Sequence, residues 1–179
     1  NYDIDDGLLS NQFNAGAYYK NNDGKMFFGS NKGLNAFYPD SLKDNQHIPE
    51  VVINGFQLFN KPVKINKEDD SDTMNQYYLS KHISLLDEIK LSYKENVFTF
   101  EFAVLDYRSP AKNKYAYKME GFQSAWNYTN ADRRYATYTN LDPGEYSFSI
   151  KGSNRDGVWK STPKSIAITI HPPWWLTTW

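Results

Sequence analysis

In the stretch YAYKMEGFQSAW, residues 115–126, every second side chain up to position 119 is large and apolar or aromatic, and a glycine follows at position 121. Successive side chains of a β-strand point to opposite faces of a sheet, so Tyr115, Tyr117 and Met119 would share one face. A glycine directly after such a run favours a turn. The stretch therefore predicts a strand with one aromatic, buried face, closed by Gly121.

The same period of two recurs elsewhere in the chain. It groups Phe98, Phe100 and Phe102, then Tyr146, Phe148 and Ile150, and finally Ile166, Ile168 and Ile170. No helix-period segment of useful length interrupts these runs. Strands are predicted at 51–58, 89–93, 96–105, 114–119, 134–140, 145–153 and 164–170. About seven short strands separated by turns are typical of an immunoglobulin or fibronectin-III-like β-sandwich, so the fold class is predicted to be all-β.

The turn NLDPGEY, residues 140–146, supports the sandwich prediction. Pro143 and Gly144 favour a turn, and Tyr146 follows at the start of the next predicted strand. In immunoglobulin-like folds a tyrosine in this position binds its hydroxyl to the backbone a few residues upstream, an arrangement called a tyrosine corner. We expect Tyr146 to make this bond.

The first 40 residues predict a separate small unit. Turn signals around Gly24 and Gly33 separate strands expected near 16–20, 25–29 and 34–37. Three short strands need a neighbour that buries them. The polar segment that follows is bracketed by prolines and is predicted to be a connector, with a boundary near residue 48.

Residues 60–82 are polar and charged with little periodicity, which predicts a long loop or a ragged hairpin. An acidic cluster lies inside this segment. It lacks the spaced oxygen ligands and the invariant glycine of a dedicated calcium loop, so a solvated loop is the favoured interpretation. The cluster consists of Glu68, Asp69, Asp70 and Asp72.

The composition excludes several classes of function. Twenty lysines and arginines against 21 aspartates and glutamates give a net charge of -1, which offers no basic field for nucleic acid. The absence of cysteine excludes disulfides, thiolate metal sites and cysteine nucleophiles. No apolar run approaches the roughly 18 residues that suggest a membrane span. The last residues, HPPWWLTTW at 171–179, have the composition of an interfacial aromatic belt.

No pattern predicts a catalytic, cofactor or metal site. The three histidines are far apart and lack a metal-ligand spacing. Glu101, Asp106 and Glu120 could supply a carboxylate pair as in a glycosidase, but outward positions on half-buried strands explain them better. We therefore expect no catalytic, cofactor-binding or metal-binding residue, and no ligand-binding residue is identified.

Four aromatic residues, Trp126, Tyr128, Tyr135 and Trp159, are predicted to lie in or beside loops. They could stack on sugar rings, as in a carbohydrate-binding module. Alternatively, they could close the ends of the sandwich, because the tryptophans stand near glycines where a large ring can pack over a turn. The second interpretation is favoured.

Two segments, KYAYKMEGFQSAW at 114–126 and RRYATYTNLDPGEYSFSIKGSNRDGVW at 133–159, resemble the triple-tyrosine (Y_Y_Y) domain of bacterial sensor proteins. The resemblance implies a structural signature of three tyrosines together with turn and tryptophan positions. The signature residues that stand here at fitting spacing are Tyr115, Tyr117, Gly121, Trp126, Tyr138, Pro143, Gly144, Tyr146, Gly157 and Trp159.

Residues 7–39 resemble the blade repeat of two-component regulator propellers, with Phe27 where a tryptophan is usual. Together the resemblances imply a partial last blade at 1–40, a linker at 41–48, a Y_Y_Y immunoglobulin-like sandwich at 49–171 and a juxtamembrane segment at 172–179. The residues expected to couple the sandwich to the membrane are Pro172, Pro173, Trp174 and Trp175.

The resemblance implies the periplasmic part of an inner-membrane hybrid two-component histidine kinase that responds to oligosaccharides and controls glycan-utilisation genes. The fragment itself would be non-catalytic and without a cofactor, whereas the full-length protein would carry phosphotransfer activity. The implied partners are a second copy of the receptor, an oligosaccharide bound mainly by propeller blades outside this chain and the adjacent membrane, but no nucleic acid. A stand-alone carbohydrate-binding module and a passive structural spacer remain as alternatives.

Overall fold

The computed structural model describes residues 2–42, 47–65, 77–106 and 109–176. They fall into two units, one within residues 1–46 and the other within residues 47–179. The acidic cluster at residues 68–72, predicted to lie in a solvated loop, is outside the described residues.

The first unit is a three-stranded antiparallel sheet in the order β1-β2-β3, with β1 at Phe13–Lys20, β2 at Met26–Ser30 and β3 at Gly33–Phe37. All three predicted strands are present, although β1 begins at Phe13 rather than at residue 16. The ring of Phe28 lies 5.7 Å from that of Phe37 and 6.1 Å from that of Phe13, measured between centroids. This row of aromatic rings joins the three strands on one face.

The second unit is a β-sandwich, as predicted, with nine strands in its described part. They are β4 (Val51–Leu58), β5 (Lys61–Pro62), β6 (Glu88–Ser92), β7 (Val97–Val104), β8 (Lys114–Glu120), β9 (Asn127–Asn130), β10 (Tyr135–Thr139), β11 (Gly144–Ser153) and β12 (Lys164–His171). One sheet has the order β10-β7-β4-β5, and the other has the order β6-β12-β11-β8-β9. The chain is all-β and the sandwich is immunoglobulin-like.

The last strand, β12, lies inside the five-stranded sheet. It pairs antiparallel with β11 and parallel with β6, and the second pairing runs through His171 opposite Ser92. Because β12 has a neighbour on each side, its backbone N–H and C=O groups are used in two ladders.

The core consists of the inner faces of the two sheets. Phe98, Phe100 and Phe102 of β7 are at most 1% exposed, and Phe148 of β11 is fully buried opposite them. The rings of Phe100 and Phe148 stack with centroids 4.5 Å apart and an interplanar angle of 13°. This contact joins the two sheets. The residues that the sequence alternation predicted to be buried therefore form the packing between the sheets.

Two strands of the sandwich, β5 and β9, were not predicted from the sequence. Strand β5 is a two-residue pairing partner of β4, within the segment predicted as a loop or ragged hairpin. Strand β9 pairs with β8 and carries Tyr128, which the sequence places in or beside a loop. Tyr135 opens strand β10, within the strand predicted at 134–140. Both tyrosines therefore lie in sheets.

Short 3-10 turns occupy Ile4–Asp6, Pro39–Ser41, Ile83–Leu85, Pro110–Lys112 and Trp174–Leu176. The His82 imidazole caps the third of these by accepting a hydrogen bond from the Ser84 backbone N–H at Nδ1. No helix long and apolar enough to cross a membrane occurs among the described ranges.

Candidate functional site

Two of the three signature tyrosines pack inside the sandwich. The Tyr115 hydroxyl accepts a hydrogen bond from the Val104 backbone N–H at 3.4 Å, which links β8 to a strand of the opposite sheet. The Tyr117 ring lies 5.7 Å from Phe102 and 6.2 Å from Phe148. Both side chains therefore stabilise the contact between the two sheets.

The third signature tyrosine makes the predicted tyrosine corner. The Tyr146 hydroxyl donates a hydrogen bond to the Asp142 carbonyl oxygen at 2.8 Å, across the turn formed by Pro143 and Gly144. Gly121 lies beside the Tyr146 ring with a φ of +91°, and a Cβ at this position would come within 3.0 Å of the ring. Partial burial, followed by the nearby Asp142 charge, raises the pKa of the Tyr146 phenol.

Removing this hydroxyl gives a first testable prediction. Tyr146→Phe keeps the ring and deletes the hydrogen bond to Asp142, so the free energy of unfolding should fall by about 1 kcal/mol. Urea denaturation measures the change. The matched control is Tyr128→Phe, which removes the hydroxyl of a tyrosine that is 68% exposed and should leave stability unchanged. Equal stability of the two variants would show that the corner does not stabilise the turn.

Another signature residue, Tyr138, lies in the core with 5% of its surface exposed. Its ring lies 5.8 Å from Phe98 and 6.1 Å from Phe148. Its hydroxyl has no hydrogen-bond partner among the described residues. Burial disfavours the phenolate, and this raises the pKa of Tyr138 well above its usual value. The residue acts as a core side chain with a neutral hydroxyl.

The loop that contains Gly157 is held by the buried side chain of Asn154. The Asn154 Oδ1 accepts hydrogen bonds from the backbone N–H groups of Asp156 at 3.0 Å and Val158 at 2.9 Å. Gly157 has a φ of +82°, a left-handed conformation that glycine adopts without strain. The loop is thereby fixed just before Trp159.

The signature tryptophans lie on the outer face of the five-stranded sheet. The Lys151 Nζ is 4.5 Å from the centroid of a Trp126 ring and 5.6 Å from that of a Trp159 ring, and the Lys118 Nζ is 4.9 Å from Trp126. Tyr128 meets the Trp159 ring edge-on at 5.8 Å. We call these five residues the tryptophan–lysine cluster. Cation–π attraction between ammonium groups and aromatic rings stabilises it.

The interpretation of these tryptophans as plugs at the ends of the sandwich was wrong. Neither Trp126 nor Trp159 belongs to the hydrophobic core. Phe148 and Ile150 point inward, so Lys151 on the same strand points outward and draws both rings to the outer face. The Lys118 Nζ also pairs with the Glu120 carboxylate at 2.6 Å. Each tryptophan ring thus has a lysine ammonium group of the protein over it.

The predicted coupling residues follow β12 directly. Pro173 is buried, whereas Trp174 and Trp175 are 77% and 58% exposed. The Trp175 ring meets the Tyr93 ring edge-on, with the centroids 5.5 Å apart. Trp175 therefore lies beside the turn that follows β6. This end of the sandwich therefore presents exposed tryptophans next to the last core strand.

The carboxylates considered as a catalytic pair are not brought together. Glu101 is in β7 of the four-stranded sheet, and Glu120 ends β8 of the other sheet. Asp106 is buried near Asn113, whose Nδ2 donates to the Asp106 carbonyl oxygen at 3.2 Å. In the parts of the chain that the structure describes, no group of three or more His, Asp or Glu residues could hold a metal ion.

A polar groove of about 410 Å³ lies on the outer face of the four-stranded sheet. Its lining includes Glu101 and Tyr135, each of which the sequence analysis considered for a different role. Gln57 and Thr99 also line it, and the sequence analysis did not identify them. The missed residues alternate with core positions on their strands, which shows that they face outward. That pattern does not show which of them share a groove, because strand register brings them together.

Comparisons with known proteins give one family match and several relatives. Residues 106–171 match the Y_Y_Y domain. Over 178 residues the chain is 34% identical to histidine kinase P4 of Formosa agariphila, an alignment that covers 99% of this chain and 12% of that protein.

Two solved structures from B. thetaiotaomicron are similar, and each is described as the extracellular domain of a hybrid two-component system. The domain of BT3049 is 30% identical with a TM-score of 0.71, covering 96% of this chain and 22% of that one. The domain of BT4673 is 27% identical with a TM-score of 0.61, covering 86% of this chain and 19% of that one. The chain thus spans less than a quarter of each relative.

Proposed function

Because residues 106–171 belong to the Y_Y_Y domain family and the chain is related to sensor regions of two-component systems, we propose that it is a non-catalytic, periplasmic relay segment of a hybrid histidine kinase. The full receptor would bind an oligosaccharide mainly through propeller blades outside this chain and would control glycan-utilisation genes. The sandwich would transmit the conformational change that ligand binding causes towards the membrane.

The observation that carries this proposal is the direct connection from the core to the C-terminal aromatic residues. Strand β12 is held on both sides through Ile170, and Pro172 follows two residues later. Proline fixes φ and restricts the residue before it, so little slack exists between the sheet and Trp174. A displacement of the sandwich would therefore move the segment that follows.

A relay of this kind needs two arrangements with different affinities for the ligand. A ligand that binds both arrangements equally well shifts nothing, whatever its affinity. We propose that the two arrangements are two geometries of a receptor homodimer, in which the membrane-near ends of two sandwiches approach or separate. The exposed Trp174 and Trp175 suit an interfacial position beside the membrane.

The experiment is an insertion in the intact receptor. A flexible Gly-Ser pair placed between His171 and Pro172 adds slack after β12, and we expect it to abolish ligand-dependent kinase output while leaving ligand affinity unchanged. Autophosphorylation of membrane-embedded receptor, with and without an activating oligosaccharide, measures the output.

The matched control places the same pair between Ser161 and Thr162, in the exposed connection between β11 and β12. This receptor should still respond to ligand. A normal response from the first insertion would rule out a stiff connector. Normal regulation after replacement of residues 49–171 by an unrelated sandwich would instead favour a passive spacer.

A further inference from the structure

From the polar groove on the outer face of β10, β7 and β4, we infer that the sandwich itself carries a binding site for a neutral saccharide unit. This site is distinct from any ligand site on a propeller. The inference does not rest on the relay role, since a sandwich could bind a sugar whether or not it transmits a signal.

Strand register arranges five residues that line the groove, together with the neighbouring Gly55, in two rows. The cross-strand partners of the first row are Tyr135, Glu101 and Gly55, and those of the second row are Thr137, Thr99 and Gln57. Neighbouring strands lie about 4.8 Å apart, and residues two apart on one strand are about 6.6 Å apart. The grid therefore spans about 10 Å by 7 Å, the footprint of one or two sugar rings.

A glycine in this grid leaves room for the Glu101 carboxylate. The register of β4 shifts between Ile53 and Gly55, which marks a β-bulge. A Cβ on Gly55 would lie 2.7 Å from the Glu101 Oε2, so the carboxylate occupies the space that a side chain would fill. Bulges and strand glycines commonly occur where a ligand approaches a sheet.

One oxygen of the Glu101 carboxylate is hydrogen-bonded within the sheet, and the other can accept a hydrogen bond from a ligand. The Gln57 Nε2 donates a hydrogen bond to the Glu101 Oε1, which fixes the carboxylate across β4. Within the described ranges, the Glu101 Oε2 and the Arg134 guanidinium, both at the groove, have no hydrogen-bond partner. The groove thus offers an acceptor and a set of donors at fixed positions.

An aromatic ring flanks these polar groups. Tyr135 is 47% exposed, and the Arg133 guanidinium carbon lies 5.6 Å from its ring centroid, which restrains the ring. An exposed tyrosine presents an apolar surface with a polar tip. The C–H face of a sugar ring can pack on such a surface while the hydroxyls reach the polar row.

The charges and polarity of the groove select the class of ligand. Asp132 and Glu101 are balanced by Arg133 and Arg134, so neither an anion nor a cation is strongly attracted. Tyr135 is the main exposed apolar surface, which is too little for a lipophilic molecule. A neutral ring rich in hydroxyls, each both donor and acceptor, matches this set of side chains.

The test is a titration of the 179-residue chain, followed by amide chemical shifts, with maltotriose, cellotriose, xylotriose and laminaritriose. Each is raised to about 10 mM, which detects a millimolar Kd. We expect at least one to cause saturable shifts centred on Gly55, Glu101 and Tyr135. Tri-galacturonate serves as the charged comparison and should bind more weakly than that neutral sugar.

Two variants locate the site. Tyr135→Ala and Gln57→Ala should each weaken binding by about tenfold, because one removes the stacking surface and the other frees the Glu101 carboxylate. The matched control is Tyr128→Ala, which truncates an exposed tyrosine on the other sheet and should keep the affinity. All three positions are solvent-accessible, so melting temperatures should stay close to that of the unaltered chain.

Three results would overturn the inference. They are no saturable shift with any neutral trisaccharide, shifts centred on Trp126 and Trp159, or binding of tri-galacturonate alone. None of them bears on the relay proposal, whose readout is kinase output after an insertion beside Pro172. The two proposals can therefore fail separately.

Discussion

Phe148→Ala should lower the free energy of unfolding of the sandwich by about 3–5 kcal/mol, the range for large-to-small changes in a close-packed core. Phe148 is fully buried and its ring stacks at 4.5 Å on Phe100 of the opposite sheet. Its ring also lies 6.2 Å from Tyr117 and 6.1 Å from Tyr138. Alanine removes a ring that four aromatic neighbours contact, Phe102 being the fourth, and leaves a cavity between the sheets.

Urea denaturation followed by circular dichroism measures this loss. The matched control is Phe122→Ala, which makes the same change at a ring that is 58% exposed and should cost less than about 1 kcal/mol. A small domain is stable by only about 5–15 kcal/mol, so the core variant should unfold at a much lower urea concentration than the control. Similar midpoints for both variants would contradict a core that depends on this contact.

Gly152→Ala should destabilise the sandwich by about 1–3 kcal/mol, because extra atoms in a packed core force neighbouring side chains or the backbone to move. Gly152 is buried in β11 and faces the other sheet. An added Cβ would overlap the Cγ2 of Val104 and come within 3.0 Å of the Cγ2 of Val51. The glycine thus sets how closely the two sheets approach at this end.

A double mutant tests the cause of this loss. Val104→Ala alone should destabilise by removing buried methyl groups, but in the Gly152→Ala background it also removes the overlap. The combined loss should therefore be smaller than the sum of the two single losses by about 1 kcal/mol. Denaturation of the four proteins of the cycle gives the coupling energy. Strict additivity would show that overlap with Val104 is not what destabilises the glycine variant.

The inner faces of the sandwich could be predicted because every second residue of a strand with one buried face is apolar. The alternation around Phe100 and Phe148 identified strands and core together. The tyrosine corner was also predictable, since Pro143 and Gly144 restrict the chain just before Tyr146 and the hydrogen bond is local. These features depend on residues close together in the chain.

Strand β9 could not be found in the same way. Its sequence, NYTN at 127–130, is polar and mostly exposed, so it carries no alternation of burial. It is a strand because its backbone pairs with Tyr115, Ala116 and their neighbours on β8. Tertiary pairing rather than local preference decides such an edge strand.

The positions of the tryptophans and of the polar groove depend on distant parts of the chain. Trp126 and Trp159 both contact Lys151, which lies on β11. The first row of the groove joins Gly55, Glu101 and Tyr135, and one bulge in β4 decides that Gly55 rather than its neighbour faces the carboxylate. Register between strands far apart in sequence cannot be predicted from one local pattern.

The place of β12 inside its sheet, between β6 and β11, determines how the domain would resist tension. A pull on Pro172 along the strand axis would act in shear on two ladders, one to β11 over Lys164–Ile170 and one to β6 over Ala167–His171. Hydrogen bonds loaded in shear share the force, whereas those at the open end of a hairpin break one after another. The sandwich can therefore carry a tensile load at its C-terminal end without being peeled apart strand by strand.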